Sequence, residues 1–412
     1  MRINQIKVKK GYKLILQMIP SFNFASIPNI IFGPGKIVEL YHIIPRFGNN
    51  ILFVIGTSSI KNSGKWDNII SEIEERGFNF WNVSVNHEPS PQLIDEAATK
   101  FRNKNIDLVV GIGGGSVTDA GKAISAMLPK NDSIKNYLEG IGSKLHDGQK
   151  VPYIAIPTTS GTGSEATKNA VISEIGPNGF KKSLRHDKLV PDYAIIDPEF
   201  MLSCPPSITA ACGLDAFTQL LEAYVSSKAN AMTDSLAYSG MQHIKDAIIP
   251  ACSTNALDIN VRSNMAYGSL MSGITLANAG LGIIHGLASP IGGYFNIPHG
   301  IVCGTLLAQS IKQNIHKLEE LGSQGKNFLQ KYAKVGALLN DEESIKEKDI
   351  MKQCSKLITI LEKWTSDLKI PRLGTYGLSE NDVDKIIEGT ALKNNPVVLK
   401  KSEIKHIVLN RL

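Results

Sequence analysis

Cysteine is scarce and poorly spaced for its usual structural roles. The chain has five, Cys204, Cys212, Cys252, Cys303 and Cys354. That is an odd number without a CxxC pair, so neither a disulfide framework nor a zinc ribbon reads out of them. A reducing, cytoplasmic setting is expected. Long apolar runs are also missing: none reaches the roughly 18 residues needed to cross a bilayer, so no membrane association is expected. Net charge is a modest +6 over 412 residues. Lys and Arg are interspersed with Asp and Glu and form no basic stripe, which argues against a nucleic-acid partner. The opening MRINQIKVKKGYKLILQMIPSF is basic and then apolar, like a secretory leader, but Gln17 interrupts the apolar stretch and Pro20 stops it. Residues 1–21 are therefore read as a loose N-terminal extension.

What is present is a globular composition, 42% apolar and 20% charged, at a length that favours two domains or one large domain with a cleft. From residue 22 short β-rich runs alternate with helical stretches. ILFVIG, FNFWNVSV, IDLVVGIG, VPYIAIP and PDYAIIDP read as strands. KWDNIISEIEERG has helical spacing and a Gly stop, and SPQLIDEAATKF opens with Ser90 as a cap and Pro91 at the first helical position. This alternation predicts a parallel sheet covered on both faces. After Pro205 and Pro206 only helical periodicity remains. An α/β domain over 22–202 and an all-α domain over 203–412 follow, with a ligand expected in the cleft between them.

Three groups of residues have the makings of a site. In GIGGGSVTDAGKA, Gly111 to Ala123, an apolar strand meets a helix through glycines, a suitable cradle for phosphate at free helix N–H groups. It does not match GxGxxG, since Ser116 stands at the third glycine position. A turn needed only for packing explains it equally well. IPTTSGTGSEAT, Ile156 to Thr167, follows another strand and is dense in hydroxyl groups. A surface turn would account for it too, but its place at the same sheet edge favours a polar ligand. In the helical half, Asp215 and Gln219 are four residues apart on one helix face, and His285 and His299 each precede a glycine. A carboxylate and two imidazoles are donors suited to Zn²⁺ or Fe²⁺, although a single histidine in an apolar helix is more often a core residue.

Together GGGSVTDAGKA, PTTSGTGSEAT, GLDAFTQLLEAYVS and HGLASPIGGYFNIPHG resemble the iron-containing (group III) alcohol dehydrogenase family, from about Phe22 to the C-terminus. The resemblance implies an α/β nucleotide-binding domain followed by an all-helical metal-binding domain, an architecture similar to that of dehydroquinate synthase. It implies hydride transfer between a small alcohol or aldehyde and NAD(P)(H), and a homo-oligomer, a dimer or larger. Gly113, Gly114, Gly115 and Ser116 then look like the pyrophosphate loop, with Asp119 behind it. Thr158, Thr159 and Thr162 look like the loop beside the nicotinamide, and Lys181 like a further nucleotide contact. Asp215, His285 and His299 become the catalytic metal ligands, together with position 219.

The chain departs from the family pattern in three places. Gln219 stands where the family has a His ligand, and Ser289 where many members have a His. Gln is a weaker, harder donor than imidazole, and the metal-independent maleylacetate reductases have a similar fold, so a reductase without metal is the alternative. A nonenzymatic nucleotide-binding protein ranks behind both. The third departure is at the end of ILFVIG, where NAD-preferring members usually carry an acid and this chain has Gly56, Thr57 and Ser58. Loss of the acid relieves repulsion against a 2′-phosphate, so NADP(H) is expected over NAD(H), unless the ribose is held from elsewhere. A proton relay through a ribose hydroxyl, water or Ser289 is expected, with Phe217 and residues near Tyr294 lining the cleft.

Overall fold

The computed structural model describes residues 19–57, 59–342 and 346–412. Most of the 1–21 extension and Ser58 therefore lie outside the described residues. The N-terminal half runs β1 (Asn29–Phe32), α1 (Glu39–Ile43), β2 (Asn50–Gly56), α2 (Ser59–Asn62), α3 (Lys65–Glu75), β3 (Asn79–Val85), α4 (Pro91–Phe101), β4 (Leu108–Gly113), α5 (Gly115–Met127) and β5 (Tyr153–Pro157). A hairpin of β6 (Asn169–Glu174) and β7 (Phe180–Arg185) follows, then β8 (Tyr193–Ile196). Local signals act as expected: the Ser90 side chain caps α4 by accepting the Leu93 N–H at 3.2 Å, with Pro91 next to it.

Six strands form one parallel sheet in the order β1-β8-β5-β4-β2-β3. Alternate residues of β2 serve its two faces. Leu52 and Val54 pack with α4 and α5, whereas Ile51, Phe53 and Ile55 pack with α1 and α3. The chain runs outward from β2 to β3, then returns through β4 to β5 and β8. The order thus reverses between β2 and β4, and their carboxyl ends, Gly56 and Gly113, flank the crevice where open α/β sheets take ligands.

The β6–β7 hairpin and the four-residue β1 were not expected. FKKSLR in β7 is polar and half-exposed, which hides its strand character. The GPNG at 176–179, a turn signal between two short runs, was the available clue. The hairpin packs its apolar side on α5 and reaches the helical half, where Gly293 lies against the Phe180 backbone.

That half comprises α6 (Pro206–Tyr224), α7 (Ala231–Ala251), α8 (Ile259–Ala279), α9 (Ile283–Tyr294), α10 (His299–Glu320), α11 (Lys326–Leu339), α12 (Ile350–Asp367), α13 (Glu380–Glu388) and α14 (Lys401–Leu409). Its core extends to Ala194 and Ile196 of β8, so the two halves share apolar packing. α6 is buried all round, and α8 and α9 meet at 99°. No single helix among the described residues is long and apolar enough to cross a membrane.

Segment 158–169 joins the halves, and a buried lysine fixes it. Lys122 of α5, 1% exposed, donates to the Ser164 carbonyl at 2.7 Å, Ser164 Oγ at 3.1 Å, Thr167 Oγ1 at 3.0 Å and the Asn169 carbonyl at 2.8 Å. Asp119 accepts from Ser164 Oγ, and Glu165 is buried nearby. Burial lowers the Lys122 pKa to about 8, against the pull of Asp119 and Glu165. Burial also pushes the Glu165 carboxyl up to about 7 from 4.5, despite an N–H contact from its own backbone and the charge of Lys122.

Because folded Glu165 holds its proton more tightly than the unfolded chain does, its contribution favours folding below pH 4.5 and is lost as pH rises to about 7. The shift corresponds to about 3 kcal/mol. Glu165→Gln is therefore expected to flatten the decline in urea-unfolding stability between these limits. Parallel pH curves for the variant and the wild type would contradict this.

Candidate metal centre and nucleotide crevice

The crevice is built from glycines whose missing side chains are needed for two different reasons. A Cβ on Gly111 would lie 2.3 Å from the Tyr153 hydroxyl, so Gly111 is a packing glycine within β4. A Cβ on Gly115 would lie 2.6 Å from Thr162 Cγ2, and one on Gly114 3.3 Å from Thr159 Oγ1. The glycine turn and the threonine loop are thus pressed together, and the Thr158 N–H donates to the Gly113 carbonyl at 2.9 Å. α5 begins at this turn without a side-chain cap, leaving its first N–H groups free for an anion, with Ser116 in the first turn. Gly56 closes β2 beside it and Thr57 is exposed. Asp119 is committed to Ser164, and burial raises its pKa, against the charge of Lys122.

Lys181, expected at the nucleotide, is ion-paired with Glu88. Its side chain also lies against α9, where a Cβ added to Gly292 would be 3.1 Å from Lys181 Cδ. Ser289 donates to the Lys181 carbonyl at 3.1 Å, so its hydroxyl is engaged there rather than free to relay a proton. Phe217 does not line the cleft. It is fully buried, edge-on to Trp364 at 5.0 Å between ring centres. Tyr294 is half-buried, with Lys385 stacked 4.0 Å from its ring centre.

The structure brings Asp215, His285 and His299 together from three helices. Asp215 of α6 is 1% exposed. Its Oδ1 lies 3.3 Å from His285 Nε2 and 3.7 Å from His299 Nε2, and has no hydrogen-bond partner. Its Oδ2 accepts from the Gln219 carboxamide at 3.1 Å, and the Gln219 carbonyl accepts from Ser272 Oγ at 2.9 Å. Ser272 is 3.4 Å from the Gly161 carbonyl, which links this cluster to the threonine loop.

Two residues that sequence reasoning passed over complete the cluster. Glu222 lies on the same helix, three residues beyond Gln219. One of its carboxylate oxygens accepts the Ile284 N–H at the start of α9 and the other accepts from His285 Nδ1, both at 2.7 Å. This contact fixes the ring so that Nε2 faces Asp215. The periodicity of GLDAFTQLLEAY was the signal, since an acid at 222 shares the face of 215 and 219. The second is Cys303, one turn along α10 from His299. Its Sγ is 3.6 Å from His285 Nε2 and 3.7 Å from His299 Nε2. Ligand atoms of Asp215, His285, His299 and Cys303 all lie within 4.8 Å of one another.

The electrostatics follow from this crowding. Burial disfavours an ionised Asp215, but His299 and His285 outweigh it and hold the carboxyl well below the usual range. Burial likewise opposes charge on His285, yet Cys303, Asp215 and Glu222 keep its pKa well above an ordinary imidazole. Burial takes His299 down to about 4 despite Asp215, and pushes the Cys303 thiol up to about 12 despite His285. An unpartnered buried carboxylate oxygen facing two imidazoles is an arrangement a divalent cation completes.

Comparison with known proteins covers both halves of the chain. The model for "iron-containing alcohol dehydrogenase" matches residues 28–198, and that for "Fe-containing alcohol dehydrogenase family, C-terminal" matches 209–412. The chain is 31% identical to long-chain-alcohol dehydrogenase 1 of Geobacillus thermodenitrificans, over 93% of this chain and 96% of that protein. It is 28% identical to the NAD-dependent methanol dehydrogenase of Bacillus methanolicus, over 95% and 100%. A crystal structure of 1,3-propanediol oxidoreductase superposes with a TM-score of 0.83 at 26% identity, covering 95% of this chain and all of that one.

Glu222→Gln retains the shape of the side chain but removes its charge from His285 and Ile284. Loss of such an orienting carboxylate is expected to weaken metal binding about 10- to 100-fold, measured by chelator competition. Unchanged affinity would mean that His285 is held by other contacts.

Proposed function

The chain belongs to the iron-containing alcohol dehydrogenase family, and on that premise we propose that it transfers hydride reversibly between a small alcohol or aldehyde and a nicotinamide dinucleotide, NADP(H) in preference to NAD(H), in a metal-dependent reaction. One observation carries the metal-dependent reading: Asp215 Oδ1, buried and unpartnered, facing Nε2 of both His285 and His299. A divalent cation held by these three residues, Fe²⁺ or Zn²⁺, would supply Lewis acidity toward the substrate oxygen.

The chain's own groups do the rest. The uncapped start of α5, with Gly113, Gly114, Gly115 and Ser116, offers N–H groups to the pyrophosphate, and the side-chain-free turn lets it come close. Thr158, Thr159 and Thr162 pack against that turn, and through Gly161 and Ser272 the same loop reaches Gln219, so cofactor and cluster are held in a fixed relation. Glu222 keeps His285 in the tautomer whose Nε2 is free of a proton when a cation is bound. At the β2 end Gly56 presents no carboxylate to repel a 2′-phosphate.

Oxidation of short alcohols with NADP⁺, and aldehyde reduction with NADPH, are expected to stop on exhaustive chelation and to return with Fe²⁺ or Zn²⁺. Full activity of the stripped protein would instead establish the metal-independent reductase reading. For the cofactor, kcat/KM is expected to favour NADP⁺, and Gly56→Asp to shift the ratio toward NAD⁺ by about tenfold or more, about 1.4 kcal/mol. A clear NAD⁺ preference of the wild type would refute the assignment.

A further inference from the structure

The four-donor cluster is not the one that the motif positions suggested. Gln219 occupies the position of the missing imidazole, but both ends of its carboxamide are engaged, the N–H by Asp215 Oδ2 and the carbonyl by Ser272. Turning the group over would set its carbonyl against the Asp215 carboxylate, two acceptors with no proton between them. Cys303, by contrast, is fully buried, shares the His299 face of α10, and points its sulfur at both histidines. Donor atoms around a four-coordinate zinc, at its usual bond lengths, lie about 3.3 to 3.6 Å from one another. Of the six separations among these donor atoms, four are 3.3, 3.7, 3.6 and 3.7 Å, close to that range, and all lie within 4.8 Å.

We propose that the fourth protein donor of this centre is the Cys303 thiolate, and that Gln219 is a positioning residue that clamps Asp215. The inference rests on the metal-dependent reading above and adds a soft sulfur donor to it. One carboxylate, two imidazoles and one thiolate form a set matched to zinc, and poorly matched to magnesium or calcium. The unpartnered Asp215 Oδ1 is the independent sign that the cluster receives a cation rather than being only a packed set of polar groups.

The test is X-ray absorption at the zinc edge on full-length protein reconstituted with one equivalent of Zn²⁺, with metal affinity measured in parallel. The expected wild-type spectrum contains one sulfur at about 2.3 Å. Gln219→Ala retains that sulfur shell and weakens zinc binding by no more than about 10- to 100-fold, the cost of losing an outer partner. Cys303→Ala loses the shell and weakens binding about 100-fold or more, given that removal of an outer partner alone costs 10- to 100-fold. Melting of the zinc-free variants shows whether each remains folded, and should Cys303→Ala fail to fold, the wild-type and Gln219→Ala spectra decide the matter. A wild-type shell of nitrogen and oxygen only, or zinc lost from Gln219→Ala and retained by Cys303→Ala, overturns the Cys303 assignment while leaving the metal-dependent reading intact. A wild type that binds no divalent metal overturns both.

Discussion

Burying Asp215 to 1% exposure inside α6 is the constraint around which the helical half is arranged. An ionised carboxylate taken from water without compensation costs several kcal/mol, so each of its oxygens needs an answer. Oδ2 receives the Gln219 N–H, and Oδ1 faces the imidazoles of His285 and His299. Holding those rings in place sets further demands. Glu222, two turns beyond Asp215, secures the start of α9 and the His285 ring with one carboxylate, and Pro298 ends the preceding segment so that His299 opens α10. The sharp bend from α8 to α9 brings the first imidazole to α6.

The α/β half is joined to this cluster through a short polar segment rather than a broad apolar seam alone. Residues 158–163 press on Gly114 and Gly115 on one side and on α6 and α8 on the other, where Gly161 lies against Cys212 and Gly163 against Gly273. Lys122 ties the following residues to α5 by placing its three N–H donors among four oxygens, at the cost of burying its own charge. Two loops read from the sequence as separate candidates are thus one surface, at the point where the strand order of the sheet reverses. In open α/β sheets such a crevice, outside the carboxyl ends of the strands, is where ligands bind.

Much of this was visible in the chain itself. The glycine turn, the threonine loop, the Ser90 cap and the helical character after residue 205 are local patterns, and the structure places them as expected. The misses share a cause. Gly111 looked like part of the phosphate turn but serves Tyr153, a residue some forty positions away. Phe217 looked like a cleft wall but faces Trp364 across the core. Lys181 and Ser289, expected at the nucleotide and in a proton relay, have partners in Glu88 and a backbone carbonyl that the sequence did not suggest. In each case the partner is remote in sequence, so no local spacing could reveal it.

The sequence by itself determined the alternation of strands and helices before residue 202, the helical run after it, the parallel sheet, the family and three of the four clustered donors, because periodicity, turn glycines and motif order act within a few residues of one another. Only the tertiary structure decided which polar groups answer Asp215. It engaged Gln219 with Ser272, set Glu222 behind His285, and moved Cys303 from a scattered set of unpaired thiols to the edge of the imidazole cluster. The physical reason is that a donor set forms by convergence of side chains from α6, α9 and α10. Their relative positions depend on core packing between those helices, which pattern within any one of them does not specify.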